Sequence, residues 1–225
     1  MSPKYYHNDE AWADVTPIPQ DDGSLHPLAA INYTVEYSEA MGYLRALMAA
    51  NEYSERAISL TEHIISMNPA HYTVWLYRFS IITALDLPVP DEIAWVNEVA
   101  LQHLKSYQIW HHRHQLMDHY FQQISGQPDK VADLARSETE FLSVILAEDT
   151  KNYHVWSYRQ YLVRKLDNFT AKELSATEAF IDDDVRNNSA WSHRFFIVFS
   201  DPKTTTPGSH STEHDAAVPA ENSAV

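Results

Sequence analysis

The side chains of this sequence best suited to chemistry stand in two stretches of one pattern. These are Lys105-Ser106-Tyr107-Gln108-Ile109-Trp110-His111-His112-Arg113 and Lys151-Asn152-Tyr153-His154-Val155-Trp156-Ser157-Tyr158-Arg159. Two further copies share the Trp-x-x-Arg core, at Trp75/Arg78 and Trp191/Arg194. What varies between the copies is informative. Five positions before the tryptophan stand Ala70, Lys105, Lys151 and Arg186; two positions before it stand Thr73, Gln108, His154 and Ser189. These positions fall at the N-terminal edge of the predicted motif helices, where backbone N–H groups are free and the positive end of the helix dipole points outward. A single cation there is unfavourable, but several together would form an electropositive edge suited to an anion such as diphosphate. Solvated loop lysines are the other reading of the same residues.

His111, His112, His114 and His119 suggest a metal site, but the spacing does not support one. On a helix, 111 and 114 share a face while 112 points elsewhere, and Asp118 is the one evident acidic ligand nearby. There is no H-E-x-x-H pattern, Gly-rich phosphate loop or nucleophile elbow. We therefore expect helix-surface histidines and no metal site.

The motifs must be carried by a scaffold, and their spacing names it. Four of the six tryptophans share one register, with steps of 35, 46 and 35 residues, the range of helical-hairpin arrays. Trp and Arg at i and i+3 share a helix face. The expected role of Trp75, Arg78, Trp110, Arg113, Trp156, Arg159, Trp191 and Arg194 is structural. The ring fills the space between neighbouring hairpins, and the guanidinium ties down carbonyls or a carboxylate of the adjoining turn.

Composition agrees with a helical array. The 225 residues include 4 glycines and no cysteine, which disfavours a β fold and removes disulfides and thiolate metal sites. A net charge of −15 argues against nucleic acid as the main partner. No apolar run approaches membrane-spanning length and the N-terminus has no signal-type apolar region, so membrane insertion is not expected. The absence of cysteine suits a cytoplasmic location.

Residues 1–35 read as an extended segment broken by Pro17, Pro19 and Pro27, with Trp12, Ile18, Leu25 and Leu28 as apolar anchors. Residues 36–200 read as a helical-repeat domain. Apolar periodicity predicts helices over 37–50, 54–67, 72–85, 91–104, 108–123, 131–147, 155–166, 170–185 and 189–199. The 46-residue step predicts an insertion near Ser125–Val131. Residues 201–225 are polar and proline-containing and read as a disordered tail. The last helix, with Phe195, Phe196, Ile197, Val198 and Phe199, is expected to leave an apolar face uncovered, the opposite of a polar solenoid cap.

The tandem K-x-Y-x-x-W-x-x-R pattern at Lys105–Arg113 and Lys151–Arg159 resembles the protein prenyltransferase α-subunit repeat. The tract Trp12–Gly23, Ser54-Glu-Arg-Ala57, Tyr72-Thr-Val-Trp75, Glu148-Asp149 and Asp184–Trp191 resemble the form shared by farnesyltransferase and type I geranylgeranyltransferase. The resemblance covers roughly residues 6–199. It implies an all-α fold, an α–α superhelix of antiparallel helical hairpins, and an α subunit that works in a heterodimer.

By the resemblance, a β subunit would hold the catalytic zinc and most of the isoprenoid pocket, with magnesium aiding the farnesyl reaction. Lys105 would meet the diphosphate of the prenyl donor, and Tyr153 would hydrogen-bond that diphosphate as it leaves. Gln108 would receive the C-terminal carboxylate of a Cys-a-a-X protein, with Tyr107 and His154 lining the same edge. Gln108 and the Trp12–Gly23 tract favour the Cys-a-a-X enzymes over the α subunit of Rab geranylgeranyltransferase. The family continues with further hairpins where this chain has its polar tail. A noncatalytic helical scaffold explains the Trp-Arg ladder equally well, but gives no reason for Lys105, Gln108 and Tyr153 to share a motif edge.

Overall fold

A computed structural model describes residues 5–21, 23, 28–29 and 31–203. Among them, regular structure is entirely helical: a short 3-10 turn, Glu10–Trp12, and nine α-helices. The helices are α1 (Val35–Ala49), α2 (Glu55–Met67), α3 (Tyr72–Ala84), α4 (Val89–Gln102), α5 (Tyr107–Ile124), α6 (Pro128–Glu148), α7 (Tyr153–Lys165), α8 (Ala171–Asp183) and α9 (Asn188–Phe199). Six helices begin one to three residues earlier than periodicity predicts, and two of those starts, α4 and α6, include a proline. Pro90 and Pro128 lie in the first turns of α4 and α6, where a missing N–H costs nothing because no acceptor precedes it.

The helix starts are capped by side chains the sequence supplies. Thr34, Ser54, Asn152, Thr170 and Asn187 each accept a hydrogen bond from a backbone N–H of the first turn, satisfying donors that lack an intrahelical partner. Three connections leave their helices through the left-handed region without glycine, at Asn51, Asp86 and Asp167. Following each, an N–H returns to a carbonyl five residues back: Glu52 to Leu47, Leu87 to Ile82, and Asn168 to Val163. Asn and Asp tolerate this conformation better than other residues with a Cβ.

The chain divides into two compact units, residues 1–120 and 121–225. In the first, α2 packs against α1 and α3, burying Leu44, Leu47, Leu60, Ile64, Trp75, Ile81 and Ile82. The N-terminal segment is tied onto this unit. Tyr6 is 1% exposed, and its hydroxyl lies 2.7 Å from His63 Nδ1. Tyr6, Trp12 and Tyr43 form an edge-packed aromatic cluster, and Arg56 binds Asp14 and Glu52 through paired contacts. Trp12 is thus the anchor expected of it. Ile18 and Leu28 are exposed instead, while Leu25 lies outside the described residues.

In the second unit, α7 packs on both α6 and α9, and α8 packs on α9, with a core formed by Val163, Phe196 and Ile197. Helix α9 has two characters. His193, Phe196 and Ile197 are buried, whereas Trp191, Phe195 and Val198 are 44%, 62% and 42% exposed. The expected uncovered face is therefore half of α9. Of the polar tail only 201–203 are described.

The insertion takes a different form from the one expected. The connection between α5 and α6 is only residues 125–127, while α5 and α6 run to 18 and 21 residues against 13 for α7 and α8. The extra residues lengthen two helices. The segment 128–131 could join α6 because proline is tolerated at its first position.

Candidate functional site

One turn recurs ahead of all four motif helices and sets the positions of the variable residues. An N–H returns to the carbonyl three residues back, from His71 to Asn68, Ser106 to His103, Asn152 to Asp149, and Asn187 to Asp184. The third residue of each turn is Ala70, Lys105, Lys151 or Arg186. The motif tryptophans hold the turns from inside. The indole N–H of Trp75, Trp156 and Trp191 donates to the carbonyl six residues earlier, at Pro69, Thr150 and Val185.

The two lysines held this way differ in their surroundings. Lys151 Nζ is 2.7 Å from Asp184 Oδ2, and Lys151, with the neighbouring Arg186 N–H, keeps the Asp184 carboxyl below the usual range. Lys105 is exposed, and among the described residues no carboxylate lies within ion-pair distance of it. Its own turn opens on His103, where the turns of Lys151 and Arg186 open on Asp149 and Asp184.

In the first unit, Lys105 precedes Tyr107, 68% exposed, and half-buried Gln108, whose Oε1 accepts from Ser106 Oγ at 3.2 Å. In the second unit, Tyr153 is 70% exposed, and its ring packs edge-on against His154 with centroids 5.8 Å apart. His154 is half-buried, which lowers its imidazole pKa. Each set therefore occupies the N-terminal edge of its own motif helix.

The motif arginines are all engaged by side chains of the fold, and their partners correct the sequence reading. Arg78 grips Glu92 with Nε and Nη2, both at 2.7 Å, and stacks 3.7 Å over Trp95. Arg159 grips Glu173 in the same way, at 2.5 and 3.0 Å. The carboxylate thus comes from the next helix, 14 residues downstream, rather than from the adjoining turn. Arg113 reaches back to Asn97 at 2.6 Å and Arg194 to Glu178 at 2.6 Å. Trp75, Trp110 and Trp156 are buried as expected; Trp191 is not, because it lies on the exposed half of α9.

Each bidentate pair is completed by a buried histidine. His112 Nε2 lies 2.9 Å from Glu92 Oε1, and His193 Nε2 lies 2.8 Å from Glu173 Oε1. Both rings are fully buried and pack at a tilt against tryptophans, His112 against Trp75 and His193 against Trp156. Burial lowers both imidazole pKa values, so each ring is neutral and donates Nε2–H to an ionised carboxylate. Burial pushes the Glu173 carboxyl up, but hydrogen bonds from His193 and Arg159 outweigh it and set the pKa at about 2. Glu92 is lowered by the same balance with His112 and Arg78. His112 is therefore a core ion partner, not the surface residue expected, while exposed His111 pairs with Tyr72.

The glutamates were missed by motif reasoning, although a signal for them exists. The residue before the motif arginine reaches a glutamate 20 positions earlier in three copies: His112 to Glu92, Tyr158 to Glu138 at 2.7 Å, and His193 to Glu173. That constant spacing also places the extra residues between Arg113 and Glu138.

Comparison with known proteins gives this geometry a family. The model of the protein prenyltransferase alpha subunit repeat matches residues 54–85, 89–120, 135–166 and 170–201, the hairpins α2–α3, α4–α5, α6–α7 and α8–α9. The protein farnesyltransferase/geranylgeranyltransferase type-1 subunit alpha of Schizosaccharomyces pombe is 49% identical over 106 residues, 47% of this chain and 36% of its own. The corresponding subunit of Candida albicans is 40% identical over 84% of this chain and 60% of its own. The geranylgeranyl transferase type-2 subunit alpha of Saccharomyces cerevisiae is 30% identical over 56% of this chain. A chain of the solved Candida albicans protein geranylgeranyltransferase-I complexed with GGPP superposes with a TM-score of 0.75 and 39% identity, over 92% of this chain and 66% of that one. The chain thus spans less than two thirds of the length of these relatives. Four matched repeats, each a hairpin carrying its Trp-x-x-Arg core, place the chain in the protein prenyltransferase alpha subunit repeat family.

Proposed function

We propose that this chain is the α subunit of a cytoplasmic heterodimeric protein prenyltransferase. In this reading the enzyme transfers farnesyl or geranylgeranyl from its diphosphate to the cysteine of C-terminal Cys-a-a-X proteins, and is active with its β subunit. The observation that carries the reading is the difference between Lys105 and Lys151: one repeated position, one engaged ammonium and one left facing solvent beside a helix N-terminus. An unengaged ammonium next to free backbone N–H groups is suited to an oxyanion.

In this reading Lys105 meets the diphosphate, and the Tyr153 hydroxyl hydrogen-bonds it as it leaves. Charge grows on the bridging oxygen only as the C1–O bond breaks, so donors placed there favour the transition state over the bound substrate. Gln108 offers an amide to the peptide carboxylate, while Tyr107 and His154 line the edge. In this reading the β subunit would hold the zinc that activates the substrate cysteine as its thiolate. Magnesium, where required, would accompany the diphosphate. The identities favour the type-1 relatives over the type-2 ones, and Gln108 fits a free carboxylate ligand.

The test is co-expression with a β subunit, followed by prenyl transfer to a Cys-a-a-X peptide. Transfer that requires both chains is expected. A stable complex that binds peptide without transferring the prenyl group would favour the scaffold reading.

A further inference from the structure

A second candidate site in the first unit borders the N-terminal segment. Residues 17–20 cross α1 where Gly42 leaves room. Ile18 N–H donates to the Gly42 carbonyl at 3.0 Å, and a Cβ on residue 42 would stand 3.2 Å from Pro17 Cβ and 3.4 Å from the Ile18 carbonyl oxygen. Arg45 fixes the crossing, with Nε donating to the Ile18 carbonyl at 2.8 Å and Nη1 to Gln20 Oε1 at 3.2 Å.

Beside the crossing is a groove of about 670 Å³, within the size range of small-molecule sites. Its lining includes Pro17, Ile18 and Pro19, Tyr33 and Val35, which are 42% and 72% exposed, and buried Tyr37 and Met41. Ile18, 41% exposed, adds to this apolar surface, and contiguous exposed apolar residues mark binding surfaces more often than scattered ones do.

The lining holds one arginine, Arg45, and one acid, Glu39, and the two are engaged differently. The sequence has 31 acidic residues against 16 lysines and arginines, yet among the described residues half-buried Arg45 contacts only a carbonyl and an amide. Glu39, the acid in the lining, has Oε1 engaged by the N–H groups of Tyr6 and His7 and by the His7 ring. His71 also lines the groove and is kept neutral by burial, with the Arg45 charge acting in the same direction.

We propose that this groove binds a small amphipathic carboxylate. Its apolar chain would lie against Pro17–Pro19, Tyr33 and Val35, and its carboxylate would accept from Arg45 Nη2, the guanidinium nitrogen that neither the Ile18 carbonyl nor Gln20 engages.

The test titrates the full chain with octanoate, followed by NMR and calorimetry. Saturable one-site binding is expected, with Overhauser contacts from the octanoate methylenes to the Tyr33 and Tyr37 rings. Octanol should bind at least tenfold more weakly, and Arg45→Gln should weaken octanoate at least tenfold. Because Arg45 also holds the crossing, Val35→Glu gives an independent measure: it adds a repelling charge at an exposed first-turn position where acids are tolerated. It should weaken octanoate several-fold while leaving the unfolding midpoint unchanged. Absence of saturable binding, equal affinity for octanol and octanoate, or unchanged octanoate affinity in either variant would overturn the proposal.

Discussion

The two units of this chain are built on the same lock and differ in one exposed charge. Arg78–Glu92–His112 in the first and Arg159–Glu173–His193 in the second repeat the same sequence steps, the same pairing geometry and the same packing against a motif tryptophan. Lys105 and Lys151 also occupy one repeat position, yet only Lys151 is held by a carboxylate. A residue kept in every copy and buried in each is scaffold. A residue at the same position whose engagement differs between copies is where the copies can differ in function.

The largest expected effects come from breaking the locks. Glu92→Gln and Glu173→Gln each leave an arginine with too little compensation in the core, and each should cost about 3–5 kcal/mol in denaturant unfolding. Glu178→Gln, which unpairs Arg194 at the surface (33% and 48% exposed), should cost less than about 1 kcal/mol. Equal losses from Glu173→Gln and Glu178→Gln would mean that the buried triad is not the lock.

The lysine comparison is next in size. In the heterodimer, Lys105→Ala is expected to slow single-turnover prenyl transfer about a hundredfold, equivalent to roughly 3 kcal/mol of transition-state stabilisation. Prenyl diphosphate binding should change far less. Lys151→Ala should leave the rate within a few-fold. Similar small effects from both substitutions would make Lys105 an ordinary repeat residue.

Acid should weaken both locks in order. The folded-state pKa values of His112 and His193 lie below the usual 6.5 because burial disfavours the imidazolium. As pH falls through 6.5, the unfolded chain therefore binds protons that the folded chain refuses, and stability drops. Glu173, at about 2 in the folded chain against 4.5 ordinarily, adds a second loss that runs from about 4.5 down to about 2. Thermal unfolding should thus move steadily lower from pH 7 to pH 4, and His193→Gln should flatten the upper part of that decline. A midpoint constant from pH 7 to pH 5 would show that the histidines are not held neutral.

The smallest effect is expected from Asp184→Asn. It frees Lys151 from an exposed pair, 54% and 37% exposed, and should change stability by about 0–1 kcal/mol. If freed Lys151 then rescues part of the Lys105→Ala rate, electrostatic release alone makes a repeat lysine catalytic; no rescue would mean that position matters more than freedom.

Much of this was legible beforehand. The Trp-x-x-Arg register, the caps at Ser54 and Thr170 and the apolar periodicity located the nine helices of the described residues to within a few residues, since capping and amphipathicity act over one or two turns. The 46-residue step revealed an insertion but not its form. Whether extra residues make a loop or lengthen two helices depends on propensity and packing along both strands of the hairpin, and Pro128 reads as a breaker until it is seen at a first helical position. His111 and His112 are adjacent and chemically identical. Their fates differ because one is turned toward Glu92 and the other toward Tyr72.

The sequence by itself determined the repeat, the helical class and the family, because each of these is written in local spacing. Only the tertiary structure decided which polar groups are engaged. Glu92 and Glu173 become core ions because the next helix brings them beneath the arginine and the following motif helix brings a histidine over them. Lys151 is neutralised because Asp184, 33 residues away along the chain, comes within 2.7 Å of it. Coulombic and hydrogen-bond energies depend on distances of a few ångströms between separate helices, and helix periodicity alone does not set those distances.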